Sequence, residues 1–182
     1  MKRYRVDPDL TNIYFSTSTI VEWQCVFKEE KYFQIIIDSL KFCQKQKGLY
    51  LLGYVIMLNH VHLLTGNNEN TSISNIMRDF RHYTANQIIK NLSEDNEKLI
   101  LYVFKKAGEK CAKKQQYKVW QDDFHPEAIL SEDWLQQKME YIHYNPVKKG
   151  YIEKPEYWKY SSARNWLCDD DSIIEIDRTY LF

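Results

Sequence analysis

Apolar positions change their period several times along the chain, and each change predicts an element. From Asn12 to Trp23 (NIYFSTSTIVEW) β-branched and aromatic residues crowd together, the composition of a strand. From Lys28 to Gln46 the period lengthens. Phe33, Ile36, Ile37, Leu40 and Phe42 or Cys43 recur at near-helical spacing, and Gly48 punctuates the end. Leu49 to Met57 is almost unbroken apolar sequence, which predicts a strand covered on both faces. A tight turn at Leu58-Asn59 leads into a third strand, His60 to Thr65, closed by Gly66-Asn67-Asn68. Ser72 is a candidate cap for a long helix whose buried face carries Ile73, Ile76, Met77, Phe80, Tyr83, Thr84 and Ile88. A more polar stretch, Ser93 to Gln116, reads as a further helix, an insertion. Val119 to Ile129 (VWQDDFHPEAI) is strand-like but interrupted by Pro126. Ser131-Glu132-Asp133 opens a last helix, expected to stop near Asn145 because Pro146 disfavours helical backbone in the residue before it. The aromatic segment Trp158 to Trp166 precedes an acidic tail.

The order strand, helix, strand, strand, helix, strand is the split βαβ arrangement. It predicts an α+β, ferredoxin-like antiparallel sheet with helices on one face, plus a C-terminal helix and extension. Residues 1–182 are expected to form one domain. Its core would span about 12–150, with a helical insertion at 93–118 and a C-terminal extension at 151–182.

Composition narrows the class. Apolar residues make up 44% of the 182, enough for a core, while 5 Gly and 4 Pro exclude a linker or low-complexity chain. Lys2, Arg3 and Arg5 are followed by Asp7 and Asp9, unlike a signal peptide, and no run approaches the roughly 18–20 apolar residues of a membrane span. The expectation is a soluble cytoplasmic protein with no membrane partner. Cys25, Cys43, Cys111 and Cys168 are scattered without a CxxC pair, which supports neither a zinc ribbon nor a redox motif.

The 25 basic residues balance the 25 acidic ones. The acids concentrate at the end, where Asp169, Asp170, Asp171, Glu175 and Asp177 face only Arg178, so the body keeps a small positive balance. Lys105, Lys106, Lys110, Lys113, Lys114 and Lys118 form a basic run. Such a run is compatible with phosphate contacts and equally with a solvated helix face. The charge asymmetry also suggests an acidic tail lying over a basic groove.

The candidate chemistry sits in YVIMLNHVHLL, Tyr54 to Leu64. Side chains of a strand alternate, so His60 and His62 leave the same face. Two neutral imidazoles so placed can chelate one divalent ion. Two satisfied core histidines would look the same, and the spacing does not choose between them. A metal would need another polar ligand. Tyr141 and Asn145, at i and i+4 on the last helix, offer a hydroxyl and a carboxamide on one helix face.

These residues together resemble the HUH single-tyrosine transposases, and most closely the REP-associated tyrosine transposases. The resemblance is carried by YVIMLNHVHLL, IMRDFRHYTANQI, VWQDDFHPEAI, YIHYNPVKKGYI and PEYWKYSSARNW, in the family's order over most of Ile13 to Trp166. It implies a ferredoxin-like core, Mg²⁺ or Mn²⁺ as cofactor, and cleavage of single-stranded DNA near hairpins. By resemblance His60 and His62 are metal ligands, Tyr141 is the nucleophile, and Asn145 stands where the family has its third polar ligand. Tyr144 is a rival nucleophile that the family's pattern disfavours, and His143 is expected to be structural. The family's usual turn proline is Leu58 here, and the neutral net charge is unusual for it. Relatives include homodimers that share active sites and monomers; the sequence leaves both open.

The implied activity is a metal-dependent single-stranded DNA transposase and endonuclease that cuts and rejoins through a 5′-phosphotyrosine. One alternative is a non-catalytic DNA-hairpin binding protein derived from a transposase, and another is a nuclease that uses water. Further candidates for DNA contact are Arg78, Arg81, His82, Lys105, Lys106, Lys113 and Lys114. Trp120, Phe124 and Trp158 are candidates for stacking on bases, although core packing suits each of them better.

Overall fold

The structure is a computed structural model that describes residues 13–111, 114–122 and 124–178. Its strands are β1 (Tyr14–Thr19), β2 (Leu49–Ile56), β3 (His60–Asn67) and β4 (Glu127–Ala128). Its helices are α1 (Glu30–Lys47), α2 (Ile73–Glu94), α3 (Lys98–Glu109), α4 (Glu132–Lys148) and α5 (Ala163–Cys168). The strands pair antiparallel in the order β2-β3-β1-β4. With α1 and α2 as the two crossover helices, this is the expected α+β, ferredoxin-like arrangement.

β3 is central and fully buried. In its register with β1, Thr19 faces His60, Thr17 faces His62 and Phe15 faces Leu64, so these six side chains share one sheet face. The other face presents Val61 and Leu63, both at most 1% exposed, under the packed pair α1 and α2. α4 covers the histidine face and packs on β2 and β3. A Cβ at Gly53 would lie 2.7 Å from Met139 Sδ, so this glycine lets α4 sit down on β2. Gly48, at φ +66°, ends α1 in the left-handed conformation and donates its N–H to the Cys43 carbonyl.

Several boundaries differ from the sequence pattern. β1 is shorter than Asn12 to Trp23, because the chain turns at Val21–Trp23 with Glu22 and Trp23 at φ 51° and 53°. The helix expected from Ser93 to Gln116 is Lys98–Glu109 alone. α2 runs on to Glu94, and a break follows in which Asn96 is left-handed and Asp95 accepts hydrogen bonds from Lys31 Nζ and Tyr32 Oη, both at 2.5 Å. Among the described residues of Val119 to Ile129 only Glu127–Ala128 pairs as a strand, with an isolated bridge between Trp120 and Ile20. α4 does not stop at Asn145 but passes through Pro146 to Lys148. Proline removes one donor, yet Lys149, Gly150 and Tyr151 N–H groups still bond back to Asn145, Val147 and Pro146 carbonyls. Burial of Asn145 and Pro146 against the body holds this last turn.

The C-terminal segment closes the outer edge of β2. Ile56 N–H bonds to the Tyr160 carbonyl, and Trp158 Nε1 donates to the Ile56 carbonyl. Ser162 N–H donates to the Tyr54 carbonyl and its Oγ accepts from Tyr54 N–H. Farther along, Leu51 N–H donates to Asp177 Oδ2, and Asp177 N–H donates to the Leu51 carbonyl. The acids of the tail have local partners as well: Asp170 pairs with Arg164, and Asp171 with Arg178 at 3.0 Å. This corrects the idea of an acidic cover over a basic groove, since through Arg178 the tail is an edge clasp on β2. No helix among the described residues is long and apolar enough to cross a membrane.

Candidate active site

Strand register and one helix build the site. His60 and His62 leave the α4 side of β3, with ring centroids 4.7 Å apart. Each ring is held through Nδ1. Asn59 Nδ2 donates to the Trp23 carbonyl at 3.2 Å, which turns Asn59 Oδ1 toward His60 Nδ1 at 2.7 Å. An amide oxygen only accepts, so His60 carries its proton on Nδ1 and leaves the Nε2 lone pair free. His62 Nδ1 lies 2.8 Å from Thr17 Oγ1 on β1. Its Nε2 is buried without a hydrogen-bond partner.

Burial is the main cause of a low imidazole pKa at both positions. It holds His60 at about 4, with Lys149 adding repulsion, and His62 at about 3, with His60 and Lys138 adding theirs. At neutral pH both rings are uncharged and their lone pairs are not masked by protons.

α4 brings the tyrosine. The Tyr141 ring meets His62 edge-on at 5.1 Å and Phe15 at 5.9 Å, while the residue stays 39% exposed. One turn on, Asn145 is buried, and its Oδ1 also lacks a partner. Lys138 at one end of this stretch acts on His62 and Lys149 at the other acts on His60, so α4 runs along the pair with Asn145 between. A buried polar atom without a partner is uncommon in a native fold. Here two occur, His62 Nε2 on β3 and Asn145 Oδ1 on the helix that covers it, and with His60 Nε2 all three are of kinds that ligate hard or borderline divalent cations. The chemistry of this donor set fits a divalent ion such as Mg²⁺ or Mn²⁺. Among the described residues no three His, Cys, Asp or Glu side chains gather, so such an ion would rest on two imidazoles and one carboxamide.

Tyr141 opens into a surface pocket of about 420 Å³ shared with Lys138, Glu140, Tyr144 and Lys148. Lys148 Nζ lies 5.7 Å from the Tyr141 ring centre. Lys138 Nζ is 4.4 Å over Phe15 and pairs with Glu127 at 2.7 Å. Tyr144 lines the same pocket from the outside. His143 is separate: it is buried, and its Nε2 shares a 3.0 Å hydrogen bond with Ser162 Oγ.

The other described candidates for DNA contact do not line this pocket. Arg81 donates to the Gln121 carbonyl and stacks 4.9 Å over Phe124, so it clasps a loop. Arg78 bonds Asp79 and Asn75, and exposed His82 sits 3.3 Å from Asn86 Nδ2. Lys105 and Lys106 are exposed on α3, Lys106 paired with Glu109, and Lys114 is exposed beyond it. Lys113 lies outside the described residues. Trp120 is 6% exposed and donates to the Arg81 carbonyl, and Trp158 is tied to β2, so both pack.

Thr17, Asn59, Lys138, Lys148 and Lys149 were not singled out from sequence. Thr17 becomes visible only through the β1–β3 register. Lys138 and Lys148 stand three residues before and seven after Tyr141, so the helical period could have found them.

Comparison with known proteins gives a likeness in sequence and in fold. A family model described as "Transposase IS200 like" matches residues 23–106, a span that holds His60 and His62. A Haemophilus influenzae protein, named provisionally as a REP-associated tyrosine transposase, is 27% identical over 166 residues, which cover 89% of this chain and 85% of that protein. Over residues 23–106 the chain is similar to the IS200-like transposases. A solved structure of a REP-associated tyrosine transposase bound to a REP hairpin shares the fold over 97% of each chain, at a TM-score of 0.63 and 16% identity. The family match ends before α4, so the reading of Tyr141 and Asn145 rests on their motif and their position against His62.

Proposed function

We propose that the protein is a metal-dependent transposase and endonuclease that cuts and rejoins single-stranded DNA near hairpins through a 5′-phosphotyrosine on Tyr141. The observation that carries this reading is a half-exposed tyrosine edge-on to a histidine whose Nε2 is a buried, unpartnered donor atom. The family relationship supports it, and the REP hairpin bound by the solved neighbour suggests the class of DNA.

His60 Nε2, His62 Nε2 and Asn145 Oδ1 would hold Mg²⁺ or Mn²⁺. When bound, the ion would supply charge neutralisation at the scissile phosphate. Tyr141 Oη forms the new bond to phosphorus while the bond to the 3′ oxygen breaks. The phenolic proton is lost and the leaving 3′ oxygen gains one. Lys148 and Lys138 line the same pocket as Tyr141 and bring positive charge suited to the neighbouring phosphates. The phosphotyrosine ester keeps the energy of the broken bond, so a 3′-hydroxyl can reverse the step and join a different strand. Water as nucleophile would lose that option.

Incubation with an end-labelled single-stranded hairpin oligonucleotide and Mn²⁺ tests the reading. Wild type should yield a protein–DNA adduct that survives denaturation, and Tyr141→Phe should yield none. An adduct undiminished in Tyr141→Phe, or absent in wild type, overturns the reading. Binding without cleavage then indicates a hairpin-binding protein, and cleavage that persists in Tyr141→Phe indicates a water-using nuclease.

A further inference from the structure

A single exposed apolar side chain needs no explanation. Three observations set Trp23 apart. It is 60% exposed, whereas Trp120 and Trp166 are 6% and 3% exposed. Its ring stands edge-on to His60, a candidate metal ligand, at 6.2 Å. It also sits on a turn in which two consecutive residues with side chains, Glu22 and Trp23, hold the left-handed conformation at φ 51° and 53°.

That conformation is unfavourable for both residues and persists because the surroundings impose it. Ile20 N–H bonds to the Asn59 carbonyl and Val21 N–H to the Val119 carbonyl, both at the entry to the turn. The Trp23 carbonyl accepts from Asn59 Nδ2, and the same Asn59 orients His60. The turn that projects the indole is therefore built into the support of the histidine.

We propose that Trp23 is a stacking platform for an unpaired nucleobase next to the scissile phosphate. The proposal rests on the transposase reading above and adds a base-binding subsite to it. Stacking needs an exposed, rigidly presented aromatic face, and it tolerates any base. The adjoining groove has the matching chemistry. Its walls carry Lys110 and Lys118, but also Glu22, Asp122 and Gln121, and Lys118 is already paired with Asp122. Donors and acceptors without a net positive field suit the edge of an uncharged base. Cations for the phosphates stand elsewhere, at Lys138 and Lys148 in the Tyr141 pocket.

The test is a binding measurement with the full chain in the Tyr141→Phe background and in EDTA, so that nothing is cut. Two labelled oligonucleotides are compared, a hairpin with a single-stranded extension and the same hairpin without one. Trp23→Ala keeps the Cβ, the backbone conformation and the carbonyl that holds Asn59, and removes only the ring. It should weaken binding of the extended hairpin by about tenfold and leave the blunt hairpin unchanged. Trp23→Tyr should restore most of the loss. Equal losses on both DNAs, no loss on either, or no rescue by tyrosine overturns the proposal. A protein that binds neither DNA overturns the DNA reading itself, whereas binding of both DNAs unaffected by Trp23→Ala removes the subsite alone and leaves the adduct assay standing.

Discussion

His62 and His143 are two buried histidines with opposite roles. Their exposures, 4% and 5%, are nearly equal, and burial holds their imidazoles at about 3 and about 4. They differ in one atom. His143 Nε2 meets Ser162 Oγ, which also accepts from Tyr54 N–H and donates to the Tyr54 carbonyl, so the polar groups of that region satisfy one another. His62 Nε2 meets nothing, although its Nδ1 is held by Thr17. The first region ties the C-terminal segment to β2. The second keeps a lone pair available beside an accessible tyrosine. Burial and a low pKa are thus common to a structural and a functional histidine, and the unpartnered atom separates them.

Substitution can break this comparison. The largest effect is expected for His62→Phe, which should lower strand cleavage by on the order of 10²-fold or more. The same change keeps a packed ring and deletes one hydrogen bond, from Nδ1 to Thr17, so it should cost only about 1–2 kcal/mol of folding stability. Cleavage rates alongside urea denaturation measure both; a protein that unfolds without losing activity per folded molecule would reverse the assignment. Thr17→Val leaves His62 in place but removes its holder, and metal affinity should fall by about 10- to 100-fold in a Mn²⁺ titration.

His143→Ala should do the reverse of His62→Phe. Loss of a packed ring and its hydrogen bond should cost about 2–3 kcal/mol in urea denaturation, with cleavage per folded molecule retained. The smallest effect concerns what the two regions share. In the unfolded chain an imidazole takes its proton near pH 6.5, whereas His143 and His60 stay neutral down to about 4 and His62 to about 3 when folded. Below pH 6.5 the unfolded state binds more protons, so stability in EDTA should fall as pH drops from 6.5 toward 4. His143→Ala should make that slope shallower, measured as urea midpoints at pH 7 and pH 5.

Much of the fold was legible because periodicity is a local property. The alternation through β3 and the helical spacing of Phe33, Ile36 and Leu40 come from the chain itself, and each element came out with the right type. The failures lie where distant contacts override local preference. Pro146 predicts a helix end, yet the buried face of α4 carries the helix on to Lys148. Val119 to Ile129 has strand composition but little strand, since its aromatic residues spend themselves in packing, with Trp120 hydrogen-bonded to α2. The clasp of Asp177 on Leu51 joins residues far apart in sequence and left no periodic trace.

The sequence by itself determined the element order, the shared face of His60 and His62, and the shared helix face of Tyr141 and Asn145. Strand and helix periods fix those relations within one segment, whatever the segment packs against. Only the tertiary structure decided that the two faces meet. It also decided that Thr17 and Asn59 hold the rings by Nδ1, that His62 Nε2 and Asn145 Oδ1 stay unpartnered, and that Trp23 stands exposed beside them. These facts depend on register between strands and on the seating of α4 over the sheet, which long-range packing sets and no local pattern encodes.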